Sequence, residues 1–166
     1  MARIYPVDNS NEAIIVNKEY CYEFARWDDG TIRWAIRNVG GWTWINTEYT
    51  VPLNEWYHVA IVYESTLSIK TFVDGDLKHA CSWGSGNIAS AESEFRIGNR
   101  SIADRPFKGI IDDVMLFNRA LTDEEIKDIN QYGGYGDYNG KLLVGFKRLP
   151  NDLKFGTITI HEFRGD

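Results

Sequence analysis

Tyr20, Tyr22 and Phe24 alternate with Glu19, Cys21, Glu23 and Ala25, and after Asp28-Asp29-Gly30 the same rhythm resumes, with Ile32, Trp34 and Ile36 set against Arg33, Ala35 and Arg37. A period of two places the two sets on opposite faces of an extended chain. An Asp-Gly step between two such runs is a strong hairpin signal. Further extended runs follow at 42–49, 56–63, 68–73, 77–81, 95–98 and 107–117, separated by turn formers such as Gly40-Gly41, Val51-Pro52-Leu53-Asn54 and Asp74-Gly75. Many short strands with turns at fairly even spacing point to an all-β sandwich or barrel rather than alternating strands and helices. The abundance of β-branched and aromatic residues agrees.

One segment keeps helical time. Thr122 followed three residues later by Glu125 reads as a capping box, Asp123 and Glu124 suit the positive end of a helix dipole, and Gly133 is placed to stop it. The helix predicted over 122–132 carries a narrow apolar stripe, Ile126 and Ile129, and reads as a cover for the sandwich. The chain then divides at 133. Residues 1–133 hold the strand pattern, and 134–166 form a tail with two further extended runs, 141–146 and 157–163.

With 166 residues, the chain is long enough to bury one sizeable core without metal or disulfide support. Its net charge is -6 and no run of Lys or Arg interrupts it, which argues against a grip on nucleic acid or anionic lipid. Apolar runs such as Ala13-Ile14-Ile15-Val16 fall far short of the ~20 residues a bilayer demands, so no membrane insertion is expected. No secretory leader is legible, and the residues leave the location unknown.

Candidate chemistry is sparse. Glu19 and Glu23 share a strand face, but at four residues apart their Cα atoms would stand about 13 Å from each other. A retaining glycosidase needs carboxyl groups ~5 Å apart. Solvated strand carboxylates are therefore the expectation and no catalytic residue is assigned. His58 has no Ser or Cys nucleophile beside it and reads as a packed strand histidine. Cys21 and Cys81 permit one disulfide without requiring it. Six Trp and nine Tyr exceed what one core ordinarily needs. Trp27 abuts the Asp-Asp-Gly turn, Trp42 and Trp44 share a face beside Gly40-Gly41, and Trp83 opens a Gly/Ser loop, so these four are the candidate ligand-binding residues. An exposed indole can stack on the apolar face of a sugar while Asn, Asp or Arg takes its hydroxyls.

Two stretches carry a family resemblance. Asn54-Glu55-Trp56-Tyr57-His58-Val59-Ala60, with Tyr63 and Phe72-Val73-Asp74-Gly75, is the first. Phe95-Arg96-Ile97-Gly98-Asn99, followed by 107–122 and the helix, is the second. Together they resemble the laminin G-like domains, of three-part bacterial type, in the concanavalin A-like lectin and glucanase group. The similarity runs over about residues 3–132. It implies a two-sheet antiparallel jelly-roll sandwich, with ligands held on a concave sheet or on loops at its rim. Trp56, part of the resembling motif, is then expected in the core with Trp34.

Such relatives often carry Ca²⁺, which makes Asp112, Asp113 and Asn99 weak metal candidates. Against this, adjacent strand residues face opposite ways and cannot share one ion without a bulge. No cofactor is required by the pattern. The strand that usually precedes the segment around Arg3 is absent, so the lane beside 110–117 needs a partner. The expected occupant is 157–163 or the same edge of a second subunit. The resemblance implies a non-catalytic module that binds carbohydrate or a glycosylated surface, in an extracellular or cell-surface setting. The alternatives are a protein-adhesion domain and a glycan hydrolase.

Overall fold

The computed structural model describes residues 1–9, 11–65, 68–82, 86–101 and 104–133, with 142–145 described as backbone alone. The elements run β1 (Ala2–Pro6), β2 (Ala13–Lys18), β3 (Tyr22–Arg26), β4 (Thr31–Ile36), β5 (Trp44–Thr50), β6 (Tyr57–Tyr63) and β7 (Ile69–Val73). They continue through β8 (Asp76–Cys81), β9 (Phe95–Ile97), β10 (Gly109–Asp112), β11 (Met115–Phe117), α1 (Asp123–Tyr132) and β12 (Leu142–Gly145). Two antiparallel five-stranded sheets result, sheet A in the order β10-β1-β6-β7-β8 and sheet B in the order β5-β4-β3-β2-β9. The all-β sandwich follows from the alternation: Ile4, Val59, Ile69 and Val73 of sheet A meet Ile15, Phe24, Ile32, Trp34 and Ile36 of sheet B in one core. At its centre Trp34 Nε1 donates to Thr71 Oγ1 at 3.1 Å, a buried hydrogen bond from one layer to the other.

The helix does more than close an end. Leu121, Ile126 and Ile129 pack on Ala60, Val62 and Phe72, the outward side chains of β6 and β7, in a second apolar cluster. The middle of sheet A, at β6 and β7, is thereby covered on both faces. The capping box is complete, with Thr122 accepting from the Glu125 amide and Glu125 from the Thr122 amide. Lys70 ties the first turn to β7 through Asp123 at 2.7 Å.

Two expectations need correction. Strand β3 starts at Tyr22, because Tyr20 takes a left-handed φ of 64° in the turn after β2 and stands 67% exposed. Trp56 lies one residue before β6 and is 41% exposed, its ring leaning on Tyr5 at 5.5 Å rather than entering the core. Within 110–117, β10 is the edge strand of sheet A. β1 itself pairs with β10, Arg3 opposite Asp112 and Pro6 opposite Gly109. β12 pairs with β11, Met115 opposite Gly145. The 157–163 run lies outside the described residues.

Candidate functional site

The outer face of sheet B is the face that the helix leaves open. Strand registers align one row of outward residues across all five strands: Arg96 opposite Asn17, Asn17 opposite Glu23, Glu23 opposite Ala35, and Ala35 opposite Trp44. With neighbouring strands ~4.8 Å apart, this row spans about 19 Å. A second row sets Ile14, Ala25, Arg33 and Asn46 beside it. The floor is low because Ala25 and Ala35 supply only methyl groups, and taller side chains around them leave both at 0% exposure.

Trp44 and Trp27 wall one side. Their rings meet edge-on with centroids 5.8 Å apart, and the Arg33 guanidinium lies 4.1 Å over the Trp27 ring. Arg33 is held in turn by Asp29 Oδ2 at 2.5 Å, so the hairpin turn that positions Trp27 also fixes its cation. Trp42, two residues before Trp44, is 39% exposed. Of the four candidate tryptophans, two are therefore in ring contact and a third stands close by in sequence; Trp83 lies outside the described residues.

The opposite side is charged. Arg100, from the loop after β9, places Nε 3.3 Å from Glu19 Oε1 and 3.4 Å from Glu23 Oε1. Ser101 Oγ adds a bond to Glu19 at 3.0 Å, and Arg105 pairs with Glu12. These partners hold the Glu19 carboxyl below the usual range despite partial burial. Glu23 is 2% exposed, and burial pushes its carboxyl up to about 7, with Arg100 opposing and Glu19 and Glu12 adding to the rise. Both carboxylates thus contact the same guanidinium, with Arg100 Nε within 3.4 Å of each.

Asn17 is the residue that strand periodicity misses. A register shift between Ile14 and Val16 turns the strand, so Asn17 follows an unbroken apolar run yet faces out beside Glu23. The one available signal was its polarity at the end of that run.

The metal candidates are dispersed and engaged. Asp113 sits at a left-handed φ of 48° between β10 and β11 and pairs with Arg3 at 3.8 Å, while Asp112 Oδ1 accepts from the Asp113 amide at 2.9 Å. Asn99 Oδ1 accepts from the Arg100 and Arg105 amides, at the edge of sheet B. Among the described residues no three His, Cys, Asp or Glu side chains converge as a metal site requires. Cys21 and Cys81 are both free thiols. His58 is buried beneath the helix side of sheet A, and burial, the amino terminus and Arg3 lower it to about 3. A cleft of about 670 Å³ opens between Tyr22, Glu23, Ile36, Tyr63 and β11, with largely apolar walls. No helix among the described residues is long and apolar enough to cross a membrane.

Solved structures share this architecture. A candidate carbohydrate-binding protein from Bacteroides ovatus superposes over 88% of the chain and 43% of its own, with 23% identity and a TM-score of 0.70. Domain 4 of AbnA, an extracellular arabinanase of Geobacillus stearothermophilus in complex with arabinotriose, covers 78% of the chain and 64% of its own at 21% identity and a TM-score of 0.60. The binding domain of Paraclostridial Mosquitocidal Protein 1 covers 78% and 35% at 17% identity and 0.53. The chain thus spans less than two thirds of each of these neighbours, and at such identities the likeness is one of fold. No curated protein matches the sequence significantly. A profile of the concanavalin A-like lectin/glucanases superfamily matches residues 2–127. With most of its length so matched and the two-sheet sandwich in place, the chain belongs to that superfamily.

Proposed function

We propose that the chain is a non-catalytic carbohydrate-binding module that holds its ligand against the outer face of sheet B. The observation that carries this reading is the five-strand row itself: a floor on the side away from the helix with two small residues, tryptophans on one side and paired polar groups on the other. A sugar offers apolar C–H faces to Trp42 and Trp44 and hydroxyls to the polar side, which suits a shallow site of mixed character. Two neighbours in fold, one named as a candidate carbohydrate-binding protein and one complexed with arabinotriose, support the same ligand class. An extracellular setting belongs to the proposal, since the latter is a domain of an extracellular enzyme.

A glycan array followed by titration calorimetry tests it. Wild type should bind a neutral oligosaccharide, and Trp44→Ala should weaken that binding by roughly 1–2 kcal/mol, the scale of a lost ring contact plus its buried area. Reducing-sugar release should stay at background. Binding only to unglycosylated protein would favour the adhesion alternative.

A further inference from the structure

Two buried side chains on the sheet B face carry polar atoms that the fold leaves unmatched. Asn17 is 0% exposed, and neither its Oδ1 nor its Nδ2 has a hydrogen-bond partner among the described residues. Its cross-strand partner Glu23 has Oε2 in the same condition. A buried polar atom left unmatched costs about 1–3 kcal/mol, and apolar residues of equal volume would avoid that cost. Ile14, Ala25 and Ala35 show that apolar side chains fit this face. Residues that break a local rule without a compensating gain in stability mark places where function sets the choice.

The surrounding chemistry narrows what the pair would receive. Two more buried atoms on this face are unmatched, Glu12 Oε1 on the charged side and Trp27 Nε1 on the aromatic side, so donors and acceptors are both on offer. Four guanidiniums of this face are in ion pairs, Arg100 with Glu19 and Glu23, Arg105 with Glu12 and Asp104, Arg96 with Glu94, and Arg33 with Asp29, while Arg37 just past the end of β4 stands exposed. An anionic ligand would meet the Glu12 and Glu19 carboxylates and displace an existing ion pair. An uncharged ligand with adjacent hydroxyls, each both donor and acceptor, matches the set.

We propose that Asn17 and Glu23 form a closed hydroxyl-recognition subsite beside Arg100, which opens to take neighbouring hydroxyls of an uncharged sugar in preference to an acidic one. This rests on the carbohydrate reading above. Arg100, bonded to Glu19 through Nε and Nη2, can withdraw from Glu23 while keeping that partner.

The test compares wild type, Asn17→Leu and Trp44→Ala by thermal melting and by calorimetric titration with arabinotriose, xylotriose, cellotriose and trigalacturonate. Asn17→Leu should melt at or above the wild-type temperature without sugar, yet bind the neutral trisaccharides at least tenfold more weakly. Trigalacturonate should bind wild type more weakly than the neutral sugars do. A clear fall in melting temperature for Asn17→Leu would show that Asn17 serves the fold, through an ordered water, and would overturn the subsite. Unchanged binding by Asn17→Leu with loss in Trp44→Ala would leave the carbohydrate reading standing and remove the subsite. Failure of wild type to bind any of the sugars would sink both. Should Asn17→Leu not fold, the side-chain amide resonance of Asn17 in wild type decides: it should shift on addition of the bound trisaccharide, and a resonance that stays put during saturation refutes direct recognition.

Discussion

Glu23 and His58 are both buried ionisable residues, yet they pull stability in opposite directions with pH. Folding raises Glu23 from the ordinary glutamate value to about 7, chiefly by burial. Its contribution is therefore complete below about pH 4.3 and lost as pH rises through 7, an effect of roughly 3 kcal/mol. His58 is lowered to about 3, again first by burial, so its contribution is complete above about pH 6.5 and lost as pH falls. The slopes oppose each other between about pH 4.5 and 6.5. Urea melts across pH 4–8 should show a shallow profile for wild type, a falling one for His58→Phe and a rising one for Glu23→Gln. A Glu23→Gln profile that still falls toward pH 7 would contradict the assignment. Sequence alone placed Glu23 on its strand face but could not set its burial, which depends on Arg100 from a loop 77 positions away in the chain. Tyr20 and Trp56 were misread for a related reason: periodicity sees side-chain type, whereas a left-handed φ and a residue just outside a strand are matters of backbone path.

The hairpin β3–β4 and helix α1 were legible because their signals are local. Alternation around Asp-Asp-Gly and a Thr-x-x-Glu cap need no distant partner. The pairing of β1 with β10 was not, since it joins the two ends of the laminin G-like region. Gly109 makes that pairing possible. It adopts a φ of 143°, and a Cβ there would overlap the Tyr5 carbonyl, backbone that cannot swing aside. Gly109→Ala should destabilise the protein by several kcal/mol, more than the ~1 kcal/mol of an ordinary glycine effect. Denaturant unfolding measures it, and a change below 1 kcal/mol would show that the two strands can part without cost.

The whole sandwich depends on how its edges are closed. β12 lies against β11, and its removal would bare a row of backbone donors and acceptors. We expect a fragment ending at Gly140 to melt lower than the full chain and to associate with rising concentration in sedimentation velocity runs. A stable monomeric fragment would mean that the tail is dispensable to the fold. The open face and its aromatic wall were only half legible: the tryptophans could be listed from turn positions, but which of the two sheets the helix would cover could not.

That covering gives the molecule a front and a back. Lys127, exposed on α1, stands on the far side of the sandwich from Asn17 and Trp44. A dye, biotin or bead attached there would present the tryptophan face outward, so orientation on a sensor surface can be chosen without touching the groups under test.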